Sequence, residues 1–169
     1  MSTPFLMAAL EATRQRLTSS TNVIVHCDGA CQSNPGGPGG WGAVIDCPIA
    51  GRVKLFGSAR RTTNNRMELQ AAIIAIAVLP RLCNVRVVSD SRYVVNGAST
   101  FAESRRKKMR RGKEIPNSDL WERLDQEQNR RFVTFEWVKG HNGHPENEMA
   151  DKLASRGLRE AAQLDRLLA

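Results

Sequence analysis

Val23-Ile24-Val25-His26-Cys27-Asp28-Gly29 is a β-branched run that stops on an acid and a glycine, and the fold is read outward from it. Such a run has the composition of a short buried strand. After it, Asn34-Pro35-Gly36-Gly37-Pro38-Gly39-Gly40 reads as a loop that neither helix nor strand could hold. Residues 41–47 and 52–59 follow as two further strands, so the first three runs make an antiparallel meander. From about residue 65 to 79 the pattern turns helical and ends at Pro80; it is apolar nearly all round after Gln70, which predicts burial against a sheet. Residues 85–89 form a fourth strand that ends at Asp90, and a short helix over about 91–98 comes next. Asn117 or Ser118 can cap a helix that carries Leu120, Trp121 and Leu124 on one side. Residues 132–138 make a fifth strand, and after a Gly/His loop Pro145 opens a long C-terminal helix. This order predicts one α/β domain with a five-stranded mixed sheet, a three-strand antiparallel meander plus two parallel strands, and helices on both faces.

The size agrees, since 169 residues are enough for one core and leave no room for a second. Apolar residues at 41% and charged residues at 25% exclude a disordered chain. The longest uncharged apolar run, residues 71–79, is too short to span a membrane, so no membrane partner is expected. Lys+Arg outnumber Asp+Glu by 25 to 17, and the resulting +8 makes nucleic acid or another polyanion the default partner. Cys27, Cys31, Cys47 and Cys83 show no zinc-site spacing and read as reduced thiols. The start of the chain has no basic segment before its short apolar stretch, which speaks against a signal peptide. Residues 1–21 are therefore expected to form a loose or helical extension of a cytoplasmic protein.

Two acids stand at the carboxyl ends of predicted strands, Asp28 and Asp90. In open α/β sheets ligands bind outside those ends. If the first and fourth strands are parallel neighbours, roughly 4.8 Å apart, the two carboxylates sit side by side and repel unless a cation neutralises them. Hard oxygen ligands suit magnesium or manganese. Taken singly, each acid also has an ordinary reading as a cap. The same holds for Glu68 near the start of the apolar helix, for Asp151 with Glu148 three residues before it, and for His141 in its glycine loop.

The constellation is more specific than its members. Cys27-Asp28-Gly29-Ala30-Cys31, the Asn34–Gly42 loop, Thr62-Thr63-Asn64-Asn65-Arg66-Met67-Glu68-Leu69, Ser89-Asp90-Ser91, Asp119-Leu120-Trp121, Trp137-Val138-Lys139-Gly140-His141 and His144-Pro145-Glu146-Asn147-Glu148-Met149-Ala150-Asp151 occur in this order. In these segments, from about Val23 to Ala154, the chain closely resembles the bacterial type I ribonuclease H family.

The resemblance implies a metal-dependent endonuclease that cuts the RNA strand of RNA–DNA hybrids and leaves 5′-phosphate and 3′-hydroxyl ends. It implies that Asp28, Glu68, Asp90 and Asp151 hold two magnesium ions, with manganese able to substitute, and that Glu148 tunes the second. His141 matches a loop histidine that moves protons or aids product release. Cys31 matches a residue beside the RNA strand. Asn34, Asn64 and Asn65 match readers of the minor groove, where 2′-hydroxyls are displayed, and Thr63 with Asn64 matches a pocket for a DNA phosphate. The run 105–113 holds seven Lys/Arg in nine residues. It resembles the basic protrusion of the family, here at about residues 101–115, and Arg105, Arg106, Lys107 and Lys108 are its expected DNA-strand contacts.

The chain departs from the family pattern in several places. Residues 105–113 contain no aromatic, with Phe101 standing where the first would be, and Arg92 and Asn96 replace frequent glutamines. The catalytic domain is drawn at residues 22–157 and a C-terminal helical tail at 158–169. A monomer is expected. The competing readings are a DNA nuclease of the resolvase or transposase type and a non-catalytic hybrid-binding module. The Asn/Gly groove loop speaks against the first, and the presence of all four acids against the second.

Overall fold

A computed structural model describes residues 21–81, 83–140 and 142–168. Five strands form one sheet: β1 (Asn22–Cys31), β2 (Gly39–Cys47), β3 (Gly51–Ala59), β4 (Asn84–Ser89) and β5 (Phe132–Trp137), in the order β3-β2-β1-β4-β5. β1–β2 and β2–β3 are antiparallel, whereas β1–β4 and β4–β5 are parallel. The mixed sheet expected from the order of the elements is therefore present.

One face buries Val23, Val25, Cys27, Trp41, Ala43 and Ile45 beneath α1 (Asn64–Ala77). That helix in turn packs against α4 (Ser118–Arg130), whose Leu120, Trp121 and Leu124 are buried as their spacing predicts. Being covered on two sides explains why α1 is apolar nearly all round. Thr63 caps it, its hydroxyl accepting from the Arg66 amide. Ser91 caps the short α2 (Arg92–Ala98) in the same way. Asn117 does not act as a side-chain cap for α4; its amide donates to the Tyr93 hydroxyl at 2.9 Å instead.

The opposite face of β2 carries α5 (Pro145–Leu167). The contact is backbone to backbone. A methyl group on Gly40 would fall on the Ala154 carbonyl oxygen, and one on Gly42 on that of Ala150. Close packing also explains why β2 starts at Gly39 rather than residue 41: Gly40 lies against α5, and a methyl group on Gly39 would fall on the Thr62 side chain and the Ala30 carbonyl oxygen. Helix α5 runs unbroken through Gly157, Ala161 is buried, and Arg60 pairs with Asp165, so the tail drawn from residue 158 continues the helix and packs on the sheet.

The basic run differs from its expected form. Residues 102–110 are helix α3 (Ala102–Arg110), and Arg105 points inward, only 7% exposed. Its guanidinium lies 4.4 Å from the centre of the Trp121 ring, donates to the Gly97 carbonyl, and holds both oxygens of Asp125 at 2.7 and 2.8 Å. Arg106 pairs with the same Asp125. Lys107, Lys108, Arg110, Arg111 and Lys113 are exposed. Arg105 is thus a structural residue and not a strand contact, because an acid on a neighbouring helix and an aromatic beneath it draw it in. Although burial alone would push the Asp125 carboxyl up, the two guanidiniums hold it below its usual range. Substituting Arg105 by Ala leaves Asp125 half-partnered and is expected to lower unfolding stability by about 2–3 kcal/mol. Lys108→Ala should leave stability unchanged within about 0.5 kcal/mol. Urea unfolding of the two variants checks this.

Candidate active site

Register places the acids. The parallel ladder from Asn22↔Asn84 to His26↔Val88 brings Asp28 level with Asp90, one residue beyond β4. β1 itself continues to Cys31, so Asp28 lies inside the strand, where it pairs with Gly42 of β2, and not at its end. Glu68 comes from the first turns of α1 and is buried. Asp28, Glu68 and Asp90 each offer a carboxylate oxygen, and these atoms lie within 4.8 Å of one another. Asp151, half-buried on α5, stands outside that set, but its charge acts on Asp28. Glu148 is half-buried one turn earlier on the same helix. His141 lies outside the described residues.

The electrostatics of the three acids are those of an uncompensated cluster. Burial, and then the charge of Asp90, push the Asp28 carboxyl up to about 7, although the Gly29 amide donates to it at 2.8 Å. Burial and the charges of Asp28 and Asp90 push Glu68 well above the carboxylate range. Glu68 Oε1 accepts from the Asn64 side chain at 3.4 Å, while its Oε2 is buried with no hydrogen-bond partner among the described residues. Three hard oxygen donors, one of them orphaned, fit a divalent cation of the magnesium class. These residues would hold it.

Asp90 is seated by groups that the sequence reading did not connect with it. Trp137 Nε1 donates to its carbonyl at 2.9 Å, and Arg92 stacks 3.7 Å above the Trp137 ring. Asn147 Nδ2 donates to its Oδ2 at 3.3 Å. Gly140 lies so close that a methyl group there would fall on the same Oδ2. One sequence signal for Asn147 was available, because it stands four residues before Asp151 and thus on the same helix face.

A second group of expected site residues also converges. The Gly36 amide donates to the Thr62 carbonyl and the Thr62 amide to the Gly37 carbonyl, which docks the loop onto the start of α1. The Asn64 amide donates to Asn34 Oδ1, and Cys31 Sγ lies 3.7 Å from the Thr62 carbonyl oxygen. Cys31, Asn34, Thr63 and Asn64 therefore line one ledge, with Asn65 exposed beside it, and Asn64 links that ledge to Glu68.

Comparison with known proteins agrees with this geometry. Residues 20–159 match the family model described as RNase H. A protein named Ribonuclease H from Methylococcus capsulatus is 47% identical over 148 residues, which cover 86% of this chain and 94% of that protein. The crystal structure of LC9-RNase H1 superposes with a TM-score of 0.72 at 30% identity, covering 84% of this chain and 74% of that one. LC11-RNase H1, solved in complex with an RNA/DNA hybrid, shares the fold at a TM-score of 0.66 and 22% identity, over 83% of this chain and 99% of that one.

The raised carboxyl of Asp28 has a consequence for the metal-free protein. Folded, it keeps its proton to about pH 7, whereas an unfolded Asp releases it near pH 4, so stability is lost as pH rises through that window. Asp28→Asn removes the penalty. In chelator it should melt with the parent at pH 4 and above it at pH 8. Equal melting temperatures at both pH values would contradict the electrostatic account.

Proposed function

The chain belongs to the ribonuclease H family, which makes it a nuclease, and from that premise we propose that it hydrolyses the RNA strand of RNA–DNA hybrids at the cluster of Asp28, Glu68, Asp90 and Asp151. The observation that carries the proposal is the convergence of three buried carboxylates within 4.8 Å beside a ledge of short amides. Magnesium suits the oxygen donor set, and the family resemblance implies two ions with manganese as a substitute. When bound, such ions supply the charge that generates a nucleophile from water and stabilises the leaving 3′-oxygen.

The protein's own residues do the rest. Asp28, Glu68 and Asp90 gather negative charge in a place that only cations can relieve, and Asp151 adds a fourth carboxylate from α5. Asn34, Asn64 and Asn65 present amides that can donate to and accept from 2′-hydroxyls, the groups that tell RNA from DNA. Cys31 and Thr63 sit on the same ledge, Cys31 toward the RNA strand and Thr63 with Asn64 toward a DNA phosphate. Lys107 and Lys108, with Arg106 partly exposed beside them, offer charge to the DNA backbone. Lacking aromatics, this helix binds by charge, which makes affinity steeply salt-dependent. His141 enters from the sequence alone, as the group that moves a proton or aids product release, and Glu148 as the acid that tunes the second ion.

The products are a 5′-phosphate and a 3′-hydroxyl, and the setting is a cytoplasmic monomer. Among the described residues no helix is long and apolar enough to cross a membrane.

One labelled duplex prepared as RNA–DNA, RNA–RNA, DNA–DNA and single-stranded RNA tests the reading, each incubated with magnesium, manganese or chelator. The expected result is metal-dependent cleavage of the RNA in the hybrid alone, abolished in Asp28→Asn. Cleavage of DNA, or hybrid binding without cleavage under either metal, would overturn it.

A further inference from the structure

Asn147 lies in the first turn of α5 and is 3% exposed. Its Nδ2 donates to Asp90 Oδ2, and its Oδ1 is buried with no donor among the described residues. The orientation of the amide follows from chemistry, since the reverse would set two acceptor oxygens against each other. Two features suit this residue to a cation site. An amide is a neutral donor, so it fixes the carboxylate without cancelling the charge a cation needs, which a Lys or Arg in its place would do. A buried carbonyl oxygen left without a donor is costly, and a donor arriving from outside the chain would relieve that cost. Hydrated divalent ions bring such donors, because magnesium keeps several of its waters when bound by a few carboxylates.

We propose that Asn147 is the positioning residue of the cation site: through Nδ2 it holds Asp90 in place, and through Oδ1 it accepts from water carried by the ion that Asp90 helps to bind. The proposal rests on the reading of the carboxylates given above. It also accounts for the crowding on one oxygen, since Gly140 and Asn147 both approach Asp90 Oδ2. With Trp137 on the carbonyl, the acid is held from three sides while its other carboxylate oxygen takes none of these contacts.

The test is a calorimetric titration of the full chain with magnesium alone, without nucleic acid. Parent, Asp90→Asn, Asn147→Ala and Asn147→Ser are compared. Outer partners of metal ligands typically contribute 10–100-fold in metal affinity, so Asn147→Ala should bind magnesium about tenfold more weakly, and Asn147→Ser, whose hydroxyl both donates and accepts, should recover part of the loss. In hybrid cleavage the Ala variant should lose kcat with KM within about twofold, the split expected of a residue that acts on the reacting centre rather than on substrate binding. In the parent, the side-chain amide proton resonances of Asn147 should shift on magnesium addition, a readout that needs no variant to fold. An Asn147→Ala protein with parental magnesium affinity, or unmoved Asn147 resonances, would overturn the proposal. If the parent itself takes up no magnesium, or Asp90→Asn binds it as the parent does, the carboxylate reading falls and this inference with it. If Asp90→Asn loses binding and Asn147→Ala keeps it, the inference alone fails.

Discussion

Three carboxylates held within 4.8 Å in a largely buried pocket repel one another, and much of this fold can be understood as the frame that keeps them there. Burial removes the water that would screen them, so the repulsion acts at a low local dielectric. Separating them would need the parallel β1–β4 ladder to slip, and one step of register would move every core side chain of β1 to the wrong face. Val23, Val25 and Cys27 beneath α1 forbid that. The hydrophobic packing of the sheet thus sets the position of Asp28, and the repulsion is accommodated by protonation, with the Asp28 carboxyl near 7 and Glu68 raised well above the usual carboxylate range.

The same constraint explains why helix and sheet approach so closely on the other face. The fourth acid stands on α5, and only a helix resting directly on the glycines of β2 brings Asp151 near enough for its charge to act on Asp28. The close approach also carries Asn147 to Asp90. On the adjoining ledge, the one proposed to read the substrate, the loop docked on the start of α1 brings Asn34 to Asn64, and Asn64 reaches Glu68. The ledge and the carboxylates are therefore joined through a few hydrogen bonds at one helix N-terminus.

The sequence made the acids and the strand order legible because both are local patterns. A β-branched run followed by Asp marks a carboxylate on a strand, although β1 runs on past Asp28 to Cys31, and the apolar helix pattern after Asn65 marks α1 as buried. What it hid was tertiary. Arg105 reads as one more exposed cation until Asp125 and Trp121 arrive from α4. Gly39 and Gly40 read as loop until Thr62 closes on the first and α5 lies across the second, because glycine carries no side chain from which a strand could be inferred. Asn117 occupies the cap position as expected, but its side chain serves Tyr93. Asn147 had only its helical spacing from Asp151 to recommend it, and nothing local pointed to Asp90. His141 stays a reading of the sequence.

The central claim is that Asp28 and Glu68 keep protons only until a divalent cation replaces them. Calorimetric titration with magnesium at pH 6.5, run in two buffers of different ionisation enthalpy, measures that exchange directly. The account predicts that the observed heat depends on the buffer, because the Asp28 carboxyl near 7 gives up its proton to the ion, and that this dependence is smaller at pH 9. Magnesium uptake with no proton release at pH 6.5 would contradict it.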